Sequence, residues 1–295
     1  MGRRLRYVPD GGALVHVTTR TIQGRYLLRP GPALNEILVG VLARAQKLYP
    51  AGVCVAVAAS NHYHLLLRVE DAKQLADFMG YFNGNAAREI SRLTGWEARV
   101  WSRRYQAIVI SNEEAAQVER LAYVLAHGCK EGLVERLRQW PGVHCVRARL
   151  DGEPLAGYWF DRTQEYAARL RGEDFGRLEY ATREEVILEP LPCWKHLSPE
   201  THRQRIADLV SGIEEEAAAE RERTGVTPPG PAAVCVKYPH DRPQQSEEIA
   251  RAALSRRHPP SARRALPDVC GFRGRLPRRG RKAPRRRSVR GLPAR

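Results

Sequence analysis

Long apolar runs are missing from this 295-residue sequence. The longest apolar stretches, such as residues 53–59, are far shorter than the roughly 20 residues that a membrane-spanning helix needs. The basic N-terminus is not followed by the apolar segment of a secretory leader. The six cysteines include no Cys-x-x-Cys pair, so reduced thiols in a cytoplasmic protein are predicted.

Positive charge is in excess at both ends of the sequence. Residues 1–150 carry a net charge of +9, from 21 Lys and Arg against 12 Asp and Glu, and residues 251–295 carry +15, from 16 against 1. Between them, residues 151–250 carry −8, from 12 against 20. Because basic surfaces attract polyanions, the sequence predicts a nucleic-acid partner.

Apolar periodicity in the first half of the chain predicts the element order β-α-β-β-α-β-α. Four short alternating or apolar runs predict strands at 13–19, 53–59, 62–69 and 104–110. Three segments with helical spacing predict helices at 34–45, 72–93 and from Ser111 or Asn112 to Gly128. This order is typical of an α+β fold with a ferredoxin-like or RRM-like antiparallel sheet. Such a sheet carries helices on one face and leaves the other face free.

The chain divides by composition into three predicted parts. Residues 1–148 form the predicted sheet domain, and residues 149–228 a mostly helical, acidic appendage. Residues 229–295 are rich in Pro and Arg and, from about Pro259, hold too few apolar side chains to fold alone, so they are predicted to be disordered. This tail could add non-specific, salt-dependent affinity for nucleic acid, or it could be an unselected or out-of-frame extension, and its composition fits both.

Two histidines two positions apart, His62 and His64, lie inside a strand-like apolar run. In an extended chain such residues share a face about 6.6 Å apart along the strand, so both imidazoles can meet one ion. The neighbours Tyr63 and Leu65 fall on the opposite face, which packs on a core. The pattern predicts a metal site on the free face, with an ordinary half-exposed strand as the alternative.

The third predicted helix supplies partners for this pair. Its buried stripe includes Val118, Leu121 and Leu125, and Tyr123 and His127 lie about 150° to 170° from the centre of that stripe. At positions i and i+4 they are neighbours on one face of the helix. A phenol with a free pKa of about 10 is a poor nucleophile at neutral pH, so it would need an ion that polarises a phosphate. The combination indicates metal-assisted phosphodiester transesterification.

Four segments within residues 5–145 resemble those of the REP-associated tyrosine transposases, which are single-tyrosine transposases of the HUH superfamily. In chain order they are His16-Val17-Thr18-Thr19-Arg20, Ser60-Asn61-His62-Tyr63-His64-Leu65-Leu66-Leu67, Val100-Trp101-Ser102-Arg103-Arg104-Tyr105, and the stretch from Leu121 to Val134 that contains Tyr123. Several motifs in the same order make the resemblance more specific than the histidine pair alone.

The resemblance implies a metal-dependent endonuclease and strand transferase that acts on hairpin-forming single-stranded DNA. His62 and His64 would bind Mg²⁺ or Mn²⁺, and Tyr123 would attack the scissile phosphate. The products would be a 5′-phosphotyrosine link and a free 3′-OH, which can later attack that link and rejoin the strands. The family usually has Asn and then Pro where this chain has His127 and Gly128, and a histidine can serve as the third ligand in place of Asn.

The same resemblance implies DNA contacts outside the metal site. Arg104 and Tyr105 occupy a segment in which a guanidinium can bind phosphate and a ring can stack on a base. Arg20 and Lys130 are further predicted phosphate contacts, and an ordinary strand or surface position is the alternative for each of the four. The expected partner is single-stranded or hairpin DNA, and no membrane is expected as a partner. The protein is expected to act as a monomer or homodimer in the cytoplasm, associated with the nucleoid.

Two other functions are compatible with the predicted fold. A non-catalytic or domesticated RRM-like nucleic-acid-binding protein would present aromatic side chains on its central strands, where this chain has His62 and His64. A replication initiator or relaxase of the same superfamily usually has a helicase or larger accessory domains. Residues 151–295 contain no Gly-x-x-x-x-Gly-Lys-Ser/Thr loop, which favours the transposase.

Overall fold

A four-stranded antiparallel sheet lies at the centre of the computed structural model, which describes residues 4–243. Its strands, in chain order, are β1 (Ala13–Arg20), β2 (Gly52–Ala58), β3 (His62–Val69) and β4 (Gln106–Ile110). Their spatial order is β2-β3-β1-β4, and each neighbouring pair is antiparallel. The predicted α+β fold with an antiparallel sheet is therefore confirmed.

Helices and a small second sheet surround the four strands. The helices are α1 (Pro32–Leu48), α2 (Ala72–Thr94), α3 (Glu114–Leu125), α4 (Val146–Asp151), α5 (Arg162–Leu170), α6 (Pro199–Thr224) and α7 (Gly230–Cys235). Short 3₁₀ turns lie at Ile22–Gly24, Leu137–Gln139 and Pro192–Trp194. The second sheet pairs β5 (Ala156–Phe160) with β6 (Ala181–Glu185). Among these described helices, none is long and apolar enough to cross a membrane.

One face of the sheet packs on α1 and α2 to form an apolar core. Val15 and Val17 of β1 and Leu65 and Leu67 of β3 are buried there with Phe78 of α2. Helix α2 begins at its N-cap Asp71, whose side chain accepts the backbone N–H of Gln74 at 2.7 Å, and ends at Gly95 in the left-handed region with φ 67°. These are the usual signals that start and stop a helix.

The other face of the sheet is not free, which corrects the prediction. Leu14, Val57 and Leu66 project from it into a second apolar cluster that also contains Leu125 of α3 and Ile206 of α6. All seven residues of β2 are buried, as expected for a strand that is covered on both faces and therefore lacks alternation. The β4 end of this face stays more open, since Ile108 is 42% exposed.

Helix α3 is shorter than predicted at both ends. It begins at Glu114, with Glu113 rather than Ser111 or Asn112 as its N-cap, because the Ser111 hydroxyl closes a turn by accepting the Glu113 N–H at 3.1 Å. It ends at Leu125, so His127 lies in the turn beyond the helix.

Residues 149–228 contain the antiparallel strand pair β5–β6, whose strands are connected through α5, and then helix α6. The strand pair lies against α1 at a backbone contact between two glycines. A Cβ at Gly40 would lie 2.2 Å from the Tyr158 backbone, and one at Gly157 would lie 2.0 Å from the Glu36 carbonyl oxygen. Such an approach requires glycine on both sides.

Residues after β6 complete the edge of the four-stranded sheet. Strand β2 is an edge strand, and Leu188 forms a bridge with Val53, whose carbonyl accepts the Glu189 N–H at 2.9 Å. The Glu189 carboxylate accepts two hydrogen bonds from Arg68, at 2.9 and 3.1 Å. Arg68 is therefore held in an ion pair instead of lying on an open face.

The predicted disordered tail begins with a folded segment. Residues 230–235 form α7 with Val234 buried, and the Cys235 carbonyl accepts a hydrogen bond from Arg29 at 2.9 Å. This part of the prediction is wrong because Val234 packs into the second apolar cluster. The rest of the predicted tail, residues 244–295, lies outside the described residues.

Candidate metal centre and nucleophile

Three histidines converge at one end of the sheet. His62 and His64 project from β3, opposite Arg20 and Thr18 of β1, and His127 reaches them from the turn after α3. One ligand nitrogen from each lies within 4.8 Å of the others. His64 and His127 are buried and His62 is half-buried. The structure thus brings the three predicted ligands together.

The Nδ1 atom of each histidine in this trio, His62, His64 and His127, lies within hydrogen-bond distance of a group outside the trio. The partner of His62 is Asn61 Oδ1 at 2.7 Å, and that of His127 is the Val124 carbonyl at 3.0 Å. His64 Nδ1 lies 2.8 Å from His16 Nε2. This leaves the three Nε2 atoms for a ligand, and His64 Nε2 is buried without a hydrogen-bond partner among the described residues. An orphaned buried nitrogen beside two other imidazoles fits a divalent metal ion.

The three imidazoles are neutral at pH 7. Burial, with smaller contributions from Arg20 and Lys130, lowers the pKa of His62 to about 4. Burial and the Lys130 charge lower the pKa of His127 to about 3, and burial also lowers the pKa of His64. Neutral imidazoles keep the lone pairs that a metal ion requires.

Tyr123 lies beside the histidine trio and is 47% exposed. Its ring centroid is 5.5 Å from that of His127 and 6.1 Å from that of His64. The Lys130 ammonium lies 3.6 Å from the Tyr123 ring centroid and donates to the Tyr123 carbonyl at 3.1 Å. On the N-terminal side, the Arg120 guanidinium carbon lies 5.5 Å from the same centroid. An accessible phenol is therefore flanked by two cations.

His16 belongs to this cluster, and the sequence analysis did not assign it a site role. It is 3% exposed, and its ring lies 5.0 Å from that of His64 with 22° between the planes. Burial, with smaller effects of Arg120 and Lys130, lowers its pKa to about 4. Its position in β1, on the face opposite Val15 and Val17, is a signal that could have revealed it.

The four predicted DNA-contact residues occupy different environments. Arg20 is exposed and lies opposite His62, and Lys130 lies against Tyr123 as described. Arg104 is half-buried and donates to the Arg4 carbonyl at 2.5 Å. Tyr105 is 5% exposed and packs into the core on the α1 and α2 face, so its ring cannot stack on a base and that prediction is corrected.

The turn after His127 has a backbone conformation that excludes proline at position 128. Gly128 has φ 95°, which proline cannot adopt because its ring fixes φ near −65°. The Gly128 N–H donates to Glu131 Oε2 at 2.6 Å, and Glu131 Oε1 lies 4.0 Å from His127 Nε2. Burial raises the pKa of Glu131. The His127-Gly128 pair therefore places a carboxylate beside the trio.

Comparisons with known proteins agree with the sequence motifs. Residues 15–125 match the family model described as "Transposase IS200 like". No curated protein matches the chain.

Two solved structures are similar to parts of the chain. A REP-associated tyrosine transposase bound to a REP hairpin is 18% identical; the match covers 52% of this chain and 87% of the other, with a TM-score of 0.40. A candidate transposase from Deinococcus radiodurans is also 18% identical; here the match covers 42% of this chain and 96% of the other, with a TM-score of 0.29.

Proposed function

We propose that this chain, whose residues 15–125 match the family model described as "Transposase IS200 like", cleaves and rejoins single-stranded DNA with Tyr123 as the nucleophile. The observation that carries the proposal is the position of Tyr123. Its exposed ring lies 5.5 Å from His127, beside a buried His64 Nε2 that has no partner among the described residues. A nucleophile and a set of unused ligand nitrogens thus face one space.

In the proposed cleavage step, Tyr123 Oη attacks the scissile phosphorus and loses its proton to solvent. A bond forms between Oη and phosphorus as the bond from phosphorus to the 3′ oxygen breaks, and that oxygen takes a proton to become a free 3′-OH. The protein is left attached to the 5′ phosphate. In the reverse sense, a 3′-OH attacks the phosphotyrosine and releases Tyr123, so the strand is rejoined without an external energy source.

His62, His64 and His127 would hold Mg²⁺ or Mn²⁺, which would supply the polarisation of the scissile phosphate that a neutral phenol needs. Mg²⁺ prefers oxygen ligands, whereas Mn²⁺ accepts imidazole more readily. Of these two ions, Mn²⁺ therefore suits three nitrogen donors better. The Glu131 carboxylate, 4.0 Å from His127 Nε2, would add negative charge beside a bound cation.

The proposed DNA partner is a hairpin-forming single strand, and this specificity rests on the resemblance of the sequence motifs. Arg20, Lys130 and Arg120 supply positive charge around His62 and Tyr123, which suits a phosphate backbone. A monomer or homodimer in the cytoplasm remains the prediction.

The test is covalent capture of DNA. The full chain is incubated with Mn²⁺ and a hairpin-bearing oligonucleotide labelled at its 3′ end, and denaturing gels are read for a labelled protein adduct. Wild type should form the adduct and Tyr123→Phe should not. Tyr166→Phe, which alters a tyrosine that is 64% exposed on α5, is the matched control and should behave as wild type.

Equal adduct formation by wild type and Tyr123→Phe would contradict the assignment of the nucleophile. Hairpin binding by wild type without any adduct or cleavage would favour the alternative, a non-catalytic nucleic-acid-binding protein.

A further inference from the structure

The outer hydrogen bonds of the histidine trio are not equivalent. Val124 offers His127 a carbonyl, which can only accept. Asn61 offers His62 its amide oxygen, because the amide nitrogen donates to the Gly24 carbonyl at 3.1 Å. His64 instead meets the imidazole of His16 at 2.8 Å. An imidazole nitrogen can donate or accept, depending on where its proton lies.

His16 is fixed in its place by the sheet. It lies in β1, the neighbour of β3, on the same face as Thr18, which is paired with His64. Its ring is buried and packs along the His64 ring. Its second nitrogen, Nδ1, lies 3.3 Å from Arg120 Nη1. His16 therefore lies between a metal-ligand candidate and a cation beside Tyr123.

When His64 binds a metal ion, the position of its proton determines whether His16 donates or accepts the hydrogen bond between them. The coordinating Nε2 of His64 must be unprotonated, so a neutral His64 carries its proton on Nδ1 and His16 Nε2 must accept it. Neutral His16 then carries its own proton on Nδ1 and cannot accept from Arg120. In the opposite arrangement, Arg120 donates to His16, His16 donates to His64, and the His64 proton blocks Nε2.

We propose that His16 is a positioning residue of the metal centre, which accepts the Nδ1–H of His64 and so directs the His64 Nε2 lone pair at the ion. The inference rests on the metal site of the proposed function. It adds a fourth histidine that need not touch the ion and that selects the form of His64 able to bind it.

The first experiment measures Mn²⁺ affinity of the full chain by the electron paramagnetic resonance signal of free Mn²⁺. His16→Leu, which keeps bulk but has no acceptor, should bind Mn²⁺ about 10- to 100-fold more weakly than wild type, the usual effect of losing such a partner. His16→Gln should recover most of the affinity, because its amide oxygen can accept from His64. Thr19→Val is the control, since Thr19 lies on the same strand and bonds Tyr63 on the other face, and it should match wild type.

A second experiment needs no substitution and so remains decisive if His16→Leu does not fold. In ¹⁵N-histidine-labelled wild type loaded with Zn²⁺, nuclear magnetic resonance should place the His64 proton on Nδ1 and the His16 proton on its own Nδ1. A scalar coupling across the hydrogen bond from His64 Nδ1 to His16 Nε2 is also expected. A proton on His16 Nε2, or coordination through His64 Nδ1, would overturn the inference.

The outcomes separate this inference from the function on which it rests. If wild type binds no Mn²⁺, the proposed metal site fails and the role of His16 fails with it. If wild type binds and His16→Leu binds equally tightly, or if His16→Gln is as weak as His16→Leu, only the role of His16 is overturned.

Discussion

The two faces of strand β3 are both largely buried, but different forces hold them. Towards α1 and α2, Leu65 and Leu67 are satisfied by contact with other apolar side chains. Towards α3, His62 and His64 bring polar nitrogens out of water, and each Nδ1 has a specific partner. A buried polar group is costly unless it is paired.

Within β3, one face therefore contributes mainly to stability and the other carries the proposed chemistry. Apolar packing depends on volume and tolerates many partners, whereas the histidine face depends on where individual protons lie. Substitutions on the apolar face of β3 should therefore lower stability, and substitutions on its histidine face should lower activity.

The largest expected contrast is between His64→Ala and Leu65→Ala. His64→Ala should abolish covalent adduct formation and leave DNA binding within a few fold, because it removes a candidate ligand and no side chain of the apolar core. Leu65→Ala should lose about 2–5 kcal/mol of unfolding free energy, the usual cost for a buried leucine. Adduct gels, DNA-binding titrations and urea unfolding measure both variants. If His64→Ala lost as much unfolding free energy as Leu65→Ala, the prediction would be contradicted and that histidine would have a structural role.

A smaller effect should appear in the pH dependence of stability without metal. The pKa of His16 and His62 is lowered to about 4 and that of His127 to about 3, from an ordinary value of 6.5. Below pH 6.5 these histidines bind protons in the unfolded chain but not in the folded chain. Their contribution to the unfolding free energy is therefore fully present above pH 6.5 and is lost as the pH falls towards 4.

Urea unfolding at pH 7 and pH 5 measures this loss. We expect it to exceed about 1.4 kcal/mol, the equivalent of one pKa unit. Between pH 7 and pH 5, His64→Ala should lose less unfolding free energy than wild type. Leu65→Ala should lose as much as wild type, although it is already less stable at pH 7. Equal stability of wild type at the two pH values would show that the histidine face opens to water.

The smallest predicted effects distinguish Arg20 from Tyr105. Arg20→Ala should weaken binding similarly for different DNA sequences and lower the salt dependence of binding by the equivalent of about one phosphate contact. Tyr105→Phe should leave DNA affinity unchanged, because the ring is buried and its hydroxyl has no partner among the described residues. Salt titrations of hairpin binding test both variants. A loss of affinity in Tyr105→Phe would instead show that the Tyr105 hydroxyl reaches the DNA and that the side chain is not confined to the core.

Much of the sheet and the core of the site could be predicted from local patterns. The alternation of β3 placed His62 and His64 on one face, and the helical spacing of α3 directed Tyr123 away from the buried stripe of its helix. Both conclusions depend only on the geometry of a strand or a helix. The position of His127 does not follow from helical spacing alone, because the helix ends two residues before it.

Other features depend on contacts between distant segments. A single histidine in an apolar strand, such as His16, does not reveal that a second strand brings His64 to 2.8 Å from it. The cover on the second face comes from α3 and from α6, which begins more than 70 residues after the end of α3. The burial of Tyr105 likewise depends on how the chain before β4 turns into the core.

The completed edge of β2 has a consequence for the order of folding. Two segments close that edge: the Val143 carbonyl accepts the Ala58 N–H at 2.8 Å, and Leu188 bridges Val53. Both are synthesised long after β2 itself, and pairing between distant segments forms slowly. Until then β2 is an unpaired apolar edge, the kind of surface on which nascent chains aggregate. A chain that stopped after residue 148 would lack the Leu188 bridge and keep that part of the edge exposed.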